Sequence, residues 1–324
     1  MKGPVFIVGC PRSGTSFLYH LMLSAGGFAE FRTQMNVYDV LEPIYGDLRV
    51  LANRRRMMKD WLQSKAFAVS GLEAGEIEKK VLAECQDGSG FLRLVMESVA
   101  TRQGVDRWID STPTNAPHML RIHRDFPRAK FVHIIRDPRD VALSLDKRGW
   151  TRPLPWDKQN SLPAAGVYWK WIVSKARADG KLLGDAYNEV RYETLVNSPH
   201  QSLKELGKFL DHDLDYDRIQ QVSIGSVKNP LTSFSEDLQS GTFMPIGRWN
   251  EKFPAEKLAL FEALIGDYMG ELGYPPSKAG TVSKLLATGT RLTYGAFYEF
   301  KQWAKINTPM SRWMLNYSDI LIDK

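Results

Sequence analysis

The chain has 324 residues, 43% of them hydrophobic, enough to bury a sizeable core in one large α/β domain with insertions or in two small domains, of which one domain is the reading adopted. A net charge of +6 leans towards anionic ligands, but the basic residues are spread along the chain, not gathered in a tail, and nucleic acid is not an expected partner. Cys10 and Cys85 alone give no disulfide framework, a strand beginning almost at Met1 leaves no room for a signal peptide, and no apolar run approaches the roughly 20 residues of a membrane span; a cytoplasmic protein is expected.

Pro4 to Val8 reads as a buried strand. It leads into Gly9-Cys10-Pro11-Arg12-Ser13-Gly14-Thr15-Ser16, after which Phe17, Leu18, Leu21 and Met22 form a helical apolar stripe closed by Gly26-Gly27. A glycine-rich turn that opens a helix is a phosphate cradle: small residues let an anion approach, and the unpaired N–H groups from Gly14 to Phe17 and the positive end of the helix face it. Hydroxyls of Ser13, Thr15 and Ser16 add donors. In the ATP and GTP version of this loop a lysine follows the second glycine, where this chain has Thr15, so a nucleoside triphosphate is not the first expectation. The cation here is Arg12. A Cys-x-x-x-x-x-Arg phosphatase signature fails on spacing, because Ser16 stands six residues after Cys10.

From Phe28 to about Gly90 the α/β rhythm lapses into mixed helical segments, read as an insertion or cap able to shape an acceptor pocket. A helix from Phe91 to Arg102 and a short strand at Trp108 to Asp110 come next, then Ser111-Thr112-Pro113 and a helix from about Ala116 to Phe126. Lys130 to Ile135 is apolar nearly throughout, as a strand covered on both faces should be. It feeds Arg136-Asp137-Pro138-Arg139-Asp140, with Pro138 suited to a first helical turn. Helices over Ala164 to Leu183 and Pro199 to Leu210, a strand over Asn188 to Tyr192, and a stripe from Leu258 to Leu272 complete the pattern. Strands alternating with helices predict an α/β fold with a central parallel sheet flanked by helices, P-loop-like, carrying a helical insertion (about 40–105) and a helical C-terminal extension. The predicted domain is 1–276, and the extension is 277–324. Ligands in such sheets bind at the carboxyl ends of the strands, where Gly9 and Arg136 both stand.

Arg136 at a strand end and Ser144 two turns into the next helix are placed to meet one phosphate from two directions. The same spacing equally allows Arg136 to pair with Asp137 or Asp140, with Ser144 an ordinary helix residue. Downstream of Pro276, Tyr294, Phe297, Tyr298, Phe300, Trp303 and Trp313 stand among Lys and Arg. Packing against the parent domain is the commoner fate of such aromatics, and peripheral contact with a membrane surface is the alternative.

Taken together, the two anion-binding segments resemble those of the sulfotransferase family, whose donor is 3′-phosphoadenosine-5′-phosphosulfate (PAPS). Gly9 to Ser16 is similar to the family's 5′-phosphosulfate loop, and Arg136 to Ser144 to its 3′-phosphate segment, with Arg12 where cytosolic members have Lys. Fainter echoes are Asp110 to Pro113, Arg191-Tyr192-Glu193 and Gly247-Arg248-Trp249. The resemblance covers roughly residues 4 to 275 and looks most like the prokaryotic-type branch. It implies that Arg12, Ser13, Gly14, Thr15 and Ser16 hold the 5′ end of the donor and Arg136 and Ser144 the 3′-phosphate, supplemented by Arg248. No metal is implied, and no compact His/Cys/Asp spacing suggests one. Arg12 would stabilise the leaving phosphate of the product, adenosine 3′,5′-bisphosphate. The base that deprotonates the acceptor is expected at Glu30, with Glu42, His118 and His20 as lesser candidates, although a loop carboxylate such as Glu30 equally reads as solvated surface. The implied reaction is sulfuryl transfer to a hydroxyl or amine of a small-molecule, glycan or lipid acceptor. A P-loop small-molecule kinase using ATP and a non-catalytic nucleotide-binding protein are the alternatives, and neither acceptor nor oligomeric state follows from the residues.

Overall fold

A computed structural model describes residues 1–151, 153–277 and 280–308. Its sheet is parallel and four-stranded, in the order β2 (Ile109–Asp110), β1 (Val5–Val8), β3 (Lys130–Ile135), β4 (Tyr187–Arg191). Val5 pairs with Ile109 on one side and Lys130 on the other, and Phe131 pairs with Tyr187. Successive strand residues face opposite sides, so one run of apolar residues feeds two cores. Phe6, Val8, Phe131 and Ile135 join the larger core, while Val5, Ile7, Val132 and Ile134 join a smaller one under the helices Thr15–Ala25 and Pro199–Leu210. The expected central sheet flanked by helices is what the chain forms.

Over the larger core lie the 23-residue helix Ser161–Leu183 and the helix Ala255–Glu271. They approach closely because Gly166 has no side chain; a Cβ there would lie 2.5 Å from the Phe261 ring. Helices Leu51–Trp61, Lys65–Ser70 and Ala74–Glu84 fill the segment in which the α/β rhythm lapses, and the helix expected from Phe91 runs over Gly88–Arg102.

One element differs from the sequence reading, and another takes the form expected. The helix expected from about Ala116 is a 3₁₀ turn, Pro113–His118, followed by an α-helix, Met119–Asp125. Pro117 has no N–H to give an α-helical ladder, and Asn115 closes a tighter bond to the Thr112 carbonyl. The aromatic extension is a 24-residue helix, Lys284–Asn307, lying on the helix Ser161–Leu183. Its buried face presents Tyr294 and Tyr298, and the Tyr298 hydroxyl donates to the Ala164 carbonyl. Phe300 and Trp303 stay exposed, while Trp313 lies outside the described residues. Among the described residues no helix is long and apolar enough to cross a membrane.

Candidate functional site

The first loop is glycine-dependent at both ends. Gly9 has φ +152° and a Cβ on it would lie 2.5 Å from the Ile134 carbonyl oxygen; Gly14 has φ +101° and a Cβ on it would lie 2.5 Å from the Tyr192 ring. Both neighbours belong to the sheet's carboxyl edge, so the turn is pressed against it. Between them Arg12 adopts the left-handed conformation, φ 73°, and the Ser13 N–H donates to the Cys10 carbonyl. Leu18 is the first residue of the helix to donate to Gly14, leaving the N–H groups of Thr15, Ser16 and Phe17 ahead of the ladder, and no side chain caps that end.

The Arg12 guanidinium turns towards the second segment. Its Nε donates to Ser144 Oγ at 3.0 Å and its Nη2 to Ser233 Oγ at 3.2 Å. Arg136 in turn donates to the Arg12 carbonyl at 3.2 Å and to the Pro245 carbonyl at 2.7 Å, with its guanidinium 4.4 Å from the Tyr192 ring centre. The two motifs, 124 residues apart in sequence, are thus in direct contact. Both cations line a cavity of about 240 Å³ with Gly14, Thr15 and Ser16, and no carboxylate lines it. Burial, then the charges of Arg148 and Arg136, lower the Arg12 pKa to about 10, and no acid pairs with Arg12 among the described residues. Ser13 Oγ and Arg136 Nε are buried without a partner there. Such a corner is electrostatically complementary to an anion.

The expected pairing of Arg136 with Asp140 also exists, at 3.7 Å, but the Asp140 carboxylate is shared with the N–H groups of Gly247 and Trp249. It therefore draws the Gly247 to Trp249 turn against the site. Arg248 does not line the cavity; its guanidinium lies 4.3 Å from the Phe234 ring centre, donates to the Met244 carbonyl and stands 3.5 Å from Asp237. Sequence reasoning missed Ser233 and Arg148, which bond each other at 3.4 Å. Arg148 was discoverable, four residues after Ser144 on one helical face. Ser233 sits between helices in a stretch with no motif.

On the other side of the loop a second cavity, about 410 Å³, is lined by Pro11, Trp150, Tyr168, Trp171, Phe297 and Tyr298, with Asp39, Gln302 and Lys305 among its polar groups. Arg12 joins the two cavities: it lines the first, and its guanidinium is 5.6 Å from the Trp150 ring of the second. His118, at the end of the 3₁₀ turn behind β2, is buried with its Nε2 2.7 Å from Asp39 Oδ1 and its ring stacked on Tyr38. Burial alone would raise the Asp39 carboxyl, but the His118 hydrogen bond and the Lys305 charge outweigh it and hold the pKa at about 2. Asp39 is therefore an acceptor-only carboxylate, so the His118 Nε2–H donates to it, and Nδ1 is the ring nitrogen not engaged by Asp39.

Glu30, Glu42 and His118 line neither of these cavities themselves, but Pro117, next to His118 in the chain, and Asp39, its hydrogen-bond partner, both line the second. Glu30 is half-exposed and paired with Arg32. Glu42 accepts from the Gly88 N–H and Arg121. His20 bonds Ser226, a wall of the first cavity, through Nδ1. Cys10 is fully buried and burial pushes its thiol far up; burial also raises Cys85, to about 11. Both thiols are expected to resist a thiol-exchange reagent at pH 8 in the native protein and to react once it is unfolded in guanidinium, which absorbance of the released thiolate would check.

A family model, the sulfotransferase family, matches residues 4–216. Among solved structures the chain is similar to the sulfotransferase domain from the Synechococcus PCC 7002 olefin synthase, at 17% identity and a TM-score of 0.54 over 92% of this chain and 95% of that one. It is similar too to the sulfotransferase domain from the curacin biosynthetic pathway, at 18% identity and a TM-score of 0.52 over 86% of this chain and 99% of that one. At such identities the structural likeness speaks for the fold alone. No curated protein sequence matches the chain.

Proposed function

Because the chain belongs to the sulfotransferase family, we propose that it takes its sulfuryl group from PAPS and delivers it to a hydroxyl, or an amine, of a small-molecule, glycan or lipid acceptor. The observation that carries this reading is the contact between Arg12, Ser144 and Arg136, which makes one anion-binding corner from the two motifs. The chain's own residues suit a nucleotide with two anionic ends: the loop excludes any side chain at Gly9 and Gly14, and Ser13 Oγ and Arg136 Nε are polar atoms awaiting a partner. Thr15 in place of the triphosphate-binding lysine argues against ATP.

When bound, the donor supplies a sulfuryl group already attached to a good leaving phosphate. Arg12 and the N–H groups of Thr15, Ser16 and Phe17 stabilise the charge that gathers on that phosphate as its bond to sulfur breaks. Arg136 and Ser144 hold the 3′-phosphate and so fix the register of the nucleotide in its cradle. The aromatic walls of the second cavity exclude water and seat the acceptor, whose oxygen forms the new bond to sulfur. The His118 imidazole, bonded to Asp39 of that cavity's lining, accepts the acceptor's proton, and Asp39 steadies the resulting imidazolium. His118 is taken as the base in place of the first expectation, Glu30, because His118 is bonded to Asp39 of the second cavity's lining, whereas the Glu30 side chain is paired with Arg32.

Incubation with PAPS and a panel of phenolic, steroidal, sugar and lipid alcohols should release adenosine 3′,5′-bisphosphate in step with a sulfated product. Tight binding of ATP with no affinity for the bisphosphate would overturn the donor assignment.

A further inference from the structure

We propose that the C-terminal helix Lys284–Asn307 completes the acceptor site, with Lys305 and Gln302 as positioning residues that hold Asp39 and, through it, His118. The inference rests on His118 being the base. The helix lies wholly beyond residues 4–216, the stretch matched by the family model, yet it reaches the same carboxylate as the 3₁₀ turn does. Lys305 Nζ donates to Asp39 Oδ2 at 2.8 Å, and Gln302 Nε2 donates to Asp39 Oδ1 at 3.1 Å. Three segments distant in sequence therefore converge on one buried carboxylate: Val37–Leu41, Pro113–His118 and the last turns of the final helix.

The division of labour follows from charge and geometry. A buried carboxylate needs a counter-charge and a full set of donors. Lys305 meets the first need and, with Gln302, most of the second, while Oδ1, which Gln302 also reaches, fixes the His118 ring through Nε2–H. Gln302 Nε2 also lies 3.3 Å from His118 Nε2. Both nitrogens carry protons towards the same oxygen, so this contact is packing and not a hydrogen bond. Gln302 and Lys305 sit on one helical face, three residues apart, and Tyr298, one turn earlier, anchors that face to the helix Ser161–Leu183. The same face lines the second cavity through Phe297, Tyr298, Gln302 and Lys305. Substrate seating and base orientation thus depend on one element.

Lys305→Met should lower kcat by roughly 10- to 100-fold while the affinity for adenosine 3′,5′-bisphosphate changes by less than about threefold, and Lys305→Arg should restore most of the loss. In a His118→Gln background the Lys305→Met change should cost nothing further, because its effect passes through the imidazole. A wild-type kcat in Lys305→Met, or an undiminished additional loss in the His118→Gln background, overturns the inference. Should Lys305→Met melt below the assay temperature, Gln302→Leu replaces it, with the same pattern expected. The underlying base assignment fails separately, by normal turnover of His118→Gln alone.

Discussion

Arg12→Ala is expected to slow sulfuryl transfer by roughly 100- to 1000-fold, the usual loss when one preorganised donor to a developing charge is removed. Single-turnover release of adenosine 3′,5′-bisphosphate reads it directly. The side chain stands between the two cavities, bonded to Ser144 and Ser233 and close to Trp150, where the proposed donor and acceptor sides meet. Arg12→Lys keeps the charge without the planar fork and should fall between wild type and alanine. Because Arg12 holds φ 73°, a conformation costing an ordinary residue about 1–2 kcal/mol, Arg12→Gly relaxes the backbone while deleting the guanidinium. Equal losses in the alanine and glycine variants would locate the effect in the side chain. Turnover within about threefold of wild type in both would remove Arg12 from the chemistry.

His118→Gln is expected to lower kcat by roughly 100- to 10,000-fold, the range for a lost general base. Affinity for adenosine 3′,5′-bisphosphate should stay unchanged, since His118 lies outside the first cavity. Glu30→Gln in parallel should change neither quantity, as its partners are Arg32 through the side chain and Gln103 through the backbone. If Glu30→Gln falls in kcat and His118→Gln does not, the base returns to the position first expected from the sequence.

The corner built by Arg12 and Arg136 was the legible part of this chain. Strand, glycine turn and helix from Val5 to Ala25 are local consequences of apolar runs and φ-permissive residues, and Arg136 to Ser144 has the same strand-to-helix grammar. The family resemblance drawn from those two segments holds. The parallel sheet was legible too, because buried strands such as Lys130–Ile135 carry few polar residues. What escaped was whatever depends on long-range closure. The Asp39 environment is assembled from segments separated by 79 and 266 positions, and neither spacing leaves a periodic trace. Ser233 and the Pro245 carbonyl enter the corner from irregular chain, where neither pattern nor propensity points to a partner. The aromatic extension was half legible: its composition signalled an apolar face, and Tyr294 and Tyr298 do pack inward, but composition could not say against what.

One consequence of the terminal helix concerns how relatives of this enzyme diverge. A chain cut at Pro276 would keep both strand-to-helix motifs and the whole sheet, yet lose a wall of the second cavity and two ligands of the Asp39 carboxylate. On the proposed reading of the second cavity as the acceptor's seat, preference for one acceptor over another is free to drift through exchanges in a single peripheral rod, with the Arg12–Arg136 corner untouched. Two such enzymes could look interchangeable across their shared segment and still modify unrelated molecules.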